Sequence, residues 1–283
     1  MATRRDFLKN ITLVSGVLAA SSLQAENEAA KGKKMKIGLQ LWTIRDVINS
    51  DITGTLTALS KFGYNSLEPY GFDGNFYKYS AKDFRKICND LGMDITSTHT
   101  GISAANAAEY AEKGAEAGLE YLILPSFSGR PDKTLDDYKK VAQEMNQIGE
   151  ITKKAGINFG YHNHNHEFRA IEGKLPYDIL LTETDPKLVS FEMDIFWVVK
   201  GGQDPLQYFK NHPGRFQTWH IKDMGNDGDS CIVGNGKINF KDLLKHSKKA
   251  GLKRFFVEQE QYSEGTPIYC AEQSCKYIQK HLL

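Results

Sequence analysis

Between residues 36 and 283 the chain alternates short apolar runs with longer stretches whose apolar positions recur every three or four residues. The short runs read as strands: 36–43 (KIGLQLWT), 66–70 (SLEPY), 94–99 (DITSTH), 121–125 (YLILP), the start of 159–168 (FGYHNHNHEF), 188–194 (LVSFEMD), 216–222 (FQTWHIK) and 254–258 (RFFVE). Their continuous apolar character is that of strands buried on both faces, as in parallel sheets. The helical period predicts helices over 51–62, 80–91, 104–117, 135–155, 177–184, 205–211, 239–250 and 268–281, with Gly63, Gly92 and Gly156 as stops. Eight strands alternating with helices at roughly 25–35-residue intervals predict an α/β fold, a single (β/α)8 barrel. A doubly wound open sheet fits less well. No glycine-rich loop follows the first strand, and polar residues end nearly every strand instead of gathering at one switch point.

The first 25 residues break this pattern. Arg4, Arg5, Phe7, Leu8 and Lys9 precede a moderately apolar run, 11–23, and Leu23-Gln24-Ala25 offers a small-residue cleavage signal. A charged head, a short apolar middle and a small-residue end make a secretory signal, and the middle is too short to span a bilayer. The RRxFLK run resembles a twin-arginine export signal. The expected organisation is therefore a signal peptide over 1–25, a linker over 26–35 and a barrel domain over 36–283, exported to the periplasm or beyond.

Composition narrows the partners. Lys plus Arg number 36 and Asp plus Glu 35, a net charge of +1. Such a chain has no general attraction for nucleic acid or an anionic membrane, and a small molecule is the expected partner. Self-association into a homo-oligomer stays open. Four cysteines (Cys88, Cys231, Cys270, Cys275) lack zinc-ribbon spacing. Cys88 reads as core. Cys270 and Cys275, five apart on one helix, fall on different faces.

The chemistry gathers at the strand ends, which form the active face of such a barrel. There stand Trp42, Glu68, His99, His162 with His164 and Glu167, Asp194, His220 with Lys222, and Glu258 with Glu260. Acids left unpaired at a barrel mouth would cost several kcal/mol each, whereas a divalent cation compensates them. Carboxylate with imidazole and no thiolate suits manganese, zinc, magnesium or cobalt. The FGYHNHNHEF stretch is unusual. Alternate residues of a strand share a face, so His162, His164 and His166 are expected to converge there, with Glu167 close behind.

Asp194 in MDIFW, His220 in WHIKD, the loop VGNGKINF over 233–240 and Glu258 in FFVEQE together resemble the sugar phosphate isomerase/epimerase family, the xylose isomerase-like TIM barrels. The resemblance covers about residues 36–283. It implies a divalent metal held by Glu, Asp, His and Glu on strands five to eight. Asp194, His220 and Glu258 match the last three positions. At the first, His162 stands where the family has Glu, so either His162 or Glu167 from the following turn is the ligand; Glu167 is preferred, since two His then remain for substrate. Trp197 stands where the sugar epimerases generally have a His. The resemblance implies proton abstraction next to a carbonyl, leading to isomerisation, epimerisation, elimination or hydration. His162, His164 and Lys222 are the candidate acid, base and polariser. Trp42, Glu68, His99 and Trp197 are the candidate substrate contacts. Export and the lack of a phosphate cradle point to an unphosphorylated sugar, keto-sugar or 3-keto-glycoside. The alternatives are a metal-dependent phosphodiesterase of the endonuclease branch and a non-catalytic carbohydrate-binding barrel.

Overall fold

A computed structural model of the chain describes residues 35–127 and 134–283; the predicted signal peptide and nearly all of the linker lie outside the described residues. Eight strands carry the architecture: β1 (Gly38–Gln40), β2 (Ser66–Glu68), β3 (Asp94–Ile95 and Ser97–His99), β4 (Tyr121–Leu124), β5 (Asn158–His162), β6 (Val189–Asp194), β7 (Phe216–Ile221) and β8 (Arg254–Val257). All neighbours in this sheet pair in parallel. The first half of β3 pairs with β2 and its second half with β4, while β1 pairs with β8, so the sheet closes on itself. The expected (β/α)8 barrel is the observed fold.

The β3 break has a local cause. The Thr96 carbonyl turns out of the strand to accept the amides of Glu120 and Tyr121 at 2.7 and 3.0 Å. That exchange ties the start of β4 to β3 where pairing with β2 ends. The floor of the barrel is apolar. Gly38 lies beside Phe256, and a Cβ on Gly38 would stand 2.3 Å from the Phe256 ring, so the glycine makes room for the aromatic plug.

Helices follow the strands much as their periodicity predicts: Ile52–Phe62, Ala81–Asp90, Ala107–Glu116, Leu135–Lys154, Pro176–Glu183, Pro205–Asn211, Phe240–Lys245 with Ser247–Ala250, and Pro267–His281. Their ends obey capping rules. Gly63, at φ 107°, terminates the first, where a side chain would be strained, and Thr134 with Asp137 forms a reciprocal capping box at the start of the longest. Several features depart from the predicted pattern. The first strand, expected over 36–43, gives way to a 3-10 helix, Leu41–Ile44, that runs into a short helix, Arg45–Ile48, because the Gln40 side chain caps it by accepting the Trp42 amide. A short helix, Ile195–Lys200, follows β6 directly because the Asp194 side chain caps it. Two small hairpins, Asn75–Phe76 with Tyr79–Ser80 and Asp223–Met224 with Ser230–Cys231, occupy loops too short in apolar alternation to be read as strands. All four cysteines are buried free thiols, Cys88 in the core as expected.

Candidate active site

Inward-facing positions at the ends of β5 to β8 bring four side chains together. One ligand atom each from His162, Asp194, His220 and Glu258 lies within 4.8 Å of all the others, and all four residues are buried. A deeper group, His99, His162, Glu192 and His220, meets the same test. The two share His162 and His220 because Glu192 and Asp194 sit two residues apart on β6 and so project inward in successive layers.

His220 joins the layers. Its Nε2 is 2.8 Å from Glu68 and 3.2 Å from Glu192, and its Nδ1 is 3.0 Å from Glu258. Burial opposes a charge on this ring, but the carboxylates of Glu192 and Glu258 and the hydrogen bond to Asp194 override it and hold the pKa well above its ordinary value. His99 follows the same logic: burial opposes protonation, and Glu68 and Glu192 (2.6 Å from its Nε2) raise the pKa nonetheless. The carboxylates respond in kind. Despite burial, Glu192 is held well below the usual range by His220 and His99, and Asp194 and Glu258 are held low chiefly by the Lys222 ammonium.

Lys222 stands among the carboxylates, 3.2 Å from Glu258, 3.5 Å from Asp194 and in contact with Glu260, its ammonium 4.7 Å from the Trp197 ring centre. Burial would discharge it. Its three acidic neighbours instead raise its pKa, so it remains a fixed positive charge.

His162 gives the sharpest test of whether a cation fits. Its Nδ1–H donates to the Pro125 carbonyl at 3.3 Å, so Nε2 is the nitrogen turned to the cluster. That nitrogen has no partner at hydrogen-bond distance and stands 3.5 Å from Asp194 Oδ2. A buried imidazole nitrogen facing a buried carboxylate calls for a proton or a cation between them. The donor set of two imidazoles and two carboxylates fits a divalent transition metal. Asn163 fixes the alignment: its side-chain amide donates to the Asp194 carbonyl and its oxygen accepts the Asp194 amide, both at 3.1 Å, stitching the end of β5 to β6.

Glu167, the preferred first ligand on sequence, is placed elsewhere, and the placement corrects that expectation. Strand β5 ends at His162, so the alternation does not continue to Glu167. The chain turns into a short 3-10 helix, His166–Phe168, and carries the buried Glu167 carboxylate to Tyr161, whose side chain points away from the barrel interior. The Glu167 carboxylate accepts the Tyr161 hydroxyl and, at 3.0 Å, the amide of His164. It shapes the turn that presents His164. His166 lies apart from the cluster, 3.4 Å from Glu167 and partly exposed.

Above the cluster opens a cavity of about 540 Å³. Its wall combines the polar His99, His162, His164, Glu258 and Glu260 with Trp42, Tyr70, Gly71, Gly101 and Pro125. His164 Nδ1 is buried without a hydrogen-bond partner. Burial, reinforced by His162, pushes the pKa of His164 down to about 2, so it is a neutral imidazole at the cavity wall. The remaining expected contacts divide. Trp42 and His99 reach the cavity, whereas Glu68 lies deeper, bonded to Gln40, Ser97 and His220, and Trp197 stacks behind Lys222. Glu192, Gln40 and Asn163 carry no mark of function on sequence beyond the alternate acids of FEMD, which place Glu192 on the face of Asp194.

The VGNGKINF loop has a structural explanation. Asp223 Oδ2 accepts the amides of Gly234 and Gly236, at 2.9 and 3.1 Å, and Oδ1 accepts that of Ile238 at 3.1 Å. A Cβ on Gly236 would stand 2.2 Å from the same carboxylate. The loop is a backbone nest closed around one buried acid.

Residues 56–281 match the model of the xylose isomerase-like TIM barrel family. The chain belongs to this family. It is similar to an inosose dehydratase of Geobacillus thermodenitrificans, 24% identical over 88% of this chain and 98% of that one. A solved sugar phosphate isomerase/epimerase of Parabacteroides distasonis superposes with a TM-score of 0.78 at 32% identity, covering 89% of this chain and 96% of the other. The IolI protein, solved with a bound zinc atom, shares the fold at 16% identity and a TM-score of 0.68 over 87% and 97% of the two chains. These relationships mark the chain as a sugar-modifying enzyme of the lyase or isomerase kind. No helix among the described residues is long and apolar enough to cross a membrane.

Proposed function

We propose that the protein is a metal-dependent enzyme that removes a proton next to the carbonyl of an unphosphorylated keto-sugar and expels a substituent one carbon further on. The observation that carries this reading is the buried cluster of His162, Asp194, His220 and Glu258 beside a cavity whose wall carries His164, with a ring nitrogen that has no hydrogen-bond partner. His162, Asp194, His220 and Glu258 would hold the ion. A divalent ion there supplies electrostatic stabilisation for negative charge developing on the carbonyl oxygen. Two imidazoles among four ligands favour zinc, cobalt or manganese over magnesium.

His164 is the base in this scheme. The carbon–hydrogen bond next to the carbonyl breaks, the proton goes to His164, and the electron pair forms the enolate double bond. Asp194 and Glu258 favour a charge on His164, but burial, His162 and Lys222 oppose it more strongly, so the imidazolium is a strong acid that gives its proton up at once. As the enolate collapses, the carbon–oxygen bond at the next carbon breaks and the leaving oxygen takes that proton from His164, so the net change is loss of water or an alcohol. Lys222 keeps its proton throughout and holds Asp194, Glu258 and Glu260 close together without mutual repulsion. The naming of the dehydratase relatives supports elimination over simple epimerisation. The Arg4-Arg5 signal supports the further proposal that the enzyme acts outside the cytoplasm, which cell fractionation and N-terminal sequencing of the mature chain would test.

The test of the chemistry is proton NMR of 3-ketoglucose or an inosose in deuterated water with metal-loaded protein. Deuterium entering next to the carbonyl, followed by an enone signal, is the expected result. An unchanged spectrum after long incubation, with metal bound, would sink the reading and leave a carbohydrate-binding barrel.

A further inference from the structure

The exposed rim of the cavity, at Trp42, differs chemically from the buried wall where His162 and Glu258 stand. Trp42 is 41% exposed, a large apolar surface left open where a solvent-facing position would ordinarily take a polar residue. Its ring is nevertheless held. Tyr70 meets it edge to face at 5.0 Å between centroids, and the Arg45 guanidinium lies 5.1 Å from its centre. Arg45 in turn donates to the Trp42 carbonyl at 3.0 Å, the Tyr262 hydroxyl at 2.9 Å and the Glu260 carbonyl at 3.2 Å. The Gln40 side chain accepts the Trp42 amide at 3.0 Å while donating to Glu68 at 2.9 Å, so the platform is tied through one residue to the deep carboxylate layer. An aromatic surface fixed before binding pays little ordering entropy when something stacks on it.

Size and charge say what would stack there. The cavity, about 540 Å³, is of the class that encloses drug-sized molecules and exceeds the need of one sugar ring. Among the described residues lining it are two carboxylates and three histidines but no lysine or arginine. That lining disfavours a phosphorylated sugar, since phosphate would find no lysine or arginine on the described wall to receive it.

We infer that Trp42 and Tyr70 form an outer subsite for a second, flat-faced ring joined to the reacting sugar, so that the preferred substrate is a neutral keto-glycoside. The inference rests on the elimination reading only in supposing that the reacting sugar lies against the buried wall. In that scheme the departing alcohol is the second ring's hydroxyl.

The test is calorimetric titration of the metal-loaded protein with 4-nitrophenyl β-glucoside, glucose and glucose 6-phosphate. The aryl glucoside should bind about three- to tenfold tighter than glucose, the range expected for one aromatic stack, and glucose 6-phosphate weaker than glucose. Trp42→Ala should bring the aryl glucoside down to the affinity of glucose, while Trp42→Phe, which keeps a flat ring, retains most of the preference. Equal affinity for the aryl glucoside and glucose, equal weakening of both by Trp42→Ala, or no binding of either sugar overturns the subsite. So does a changed oligomeric state in Trp42→Ala with both affinities intact, which would assign the ring to a subunit contact. Deuterium exchange into 3-ketoglucose, a single-ring ketone, is the separate readout. Exchange without aryl preference removes the subsite and keeps the chemistry, and aryl preference without exchange does the reverse.

Discussion

Strands β5 to β8 and strands β1 to β4 obey the same hydrophobic rule along their length, yet they finish differently. The first set ends on His162, Asp194, His220 and Glu258, all buried and each within reach of an opposite charge or a facing acceptor. The second set ends on Glu68 and His99, whose charged groups turn down to His220 and Glu192, and then leads into Trp42, Tyr70, Gly101 and Pro125, which present rings, backbone and space. The ends of β5 to β8 carry the four groups that could share one ion. The loops after β1 to β4 offer shape. Affinity for metal and the rate of proton transfer should therefore depend on the first half, and discrimination between substrates on the second.

The largest break in that comparison comes from Glu258→Gln. The substitution keeps shape and removes the charge that His220 and Lys222 share. Metal content should fall below stoichiometric, and deuterium exchange into a keto-sugar should drop by about 10²–10³, while circular dichroism remains that of the parent. Exchange at the parental rate would mean that the cluster is not the site. By contrast, Trp42→Ala on the opposite wall should leave metal content untouched.

Next in size is the division of labour within FGYHNHNHEF. His162→Ala removes a ligand whose Nε2 faces Asp194, and metal affinity should fall by about 10–100-fold, the range seen when a metal's supporting groups are lost. Glu167→Gln should leave metal content within a factor of two and lower stability by about 1–3 kcal/mol, because it weakens buried bonds to Tyr161 and His164. Chelator competition with a chromophoric dye and thermal melts measure the two effects. If Glu167→Gln empties the site and His162→Ala does not, the two assignments exchange.

That stretch also shows what is legible in a sequence and what is not. The strand and helix order and Gly63 as a stop follow from period and residue type alone, because burial in a parallel barrel imposes a repetitive pattern; the expectation of a metal platform at Asp194, His220 and Glu258 rests on the resemblance to the family. The choice between His162 and Glu167 follows from neither, since it turns on where β5 stops pairing, and one residue more or less moves a side chain to the opposite face. Glu192 was hidden for a related reason. An acid inside a strand becomes chemical only when its neighbours across the sheet are known, here His99 and His220. Lys222 read as a candidate polariser, and its three carboxylate partners, drawn from β6 and the end of β8, fix it as a permanent charge.

The smallest effect is on pH, and it couples His99 on β3 to the β5–β8 half. In the metal-free protein His220 and His99 have raised pKa values, so their contribution to stability is complete below about pH 6.5 and is lost as pH rises through their folded values. Glu192, Asp194 and Glu258 have lowered values, so their contribution is present above about pH 4 and is lost as pH falls through the folded ones. The metal-free chain should thus melt highest between about pH 4 and 6.5 and lose on the order of 1 kcal/mol per pH unit on the alkaline side for each imidazolium that discharges. A metal ion reverses that side. To bind, it must take a nitrogen of His220 that the proton holds, so its apparent affinity should rise up to about tenfold per pH unit until that proton is gone. Melting curves with chelator and with zinc, at pH 6 and pH 8, separate the cases: the zinc-induced rise in Tm should be larger at pH 8. An equal rise at both would show that the ion does not displace a proton from the cluster, and would move the binding site away from His220.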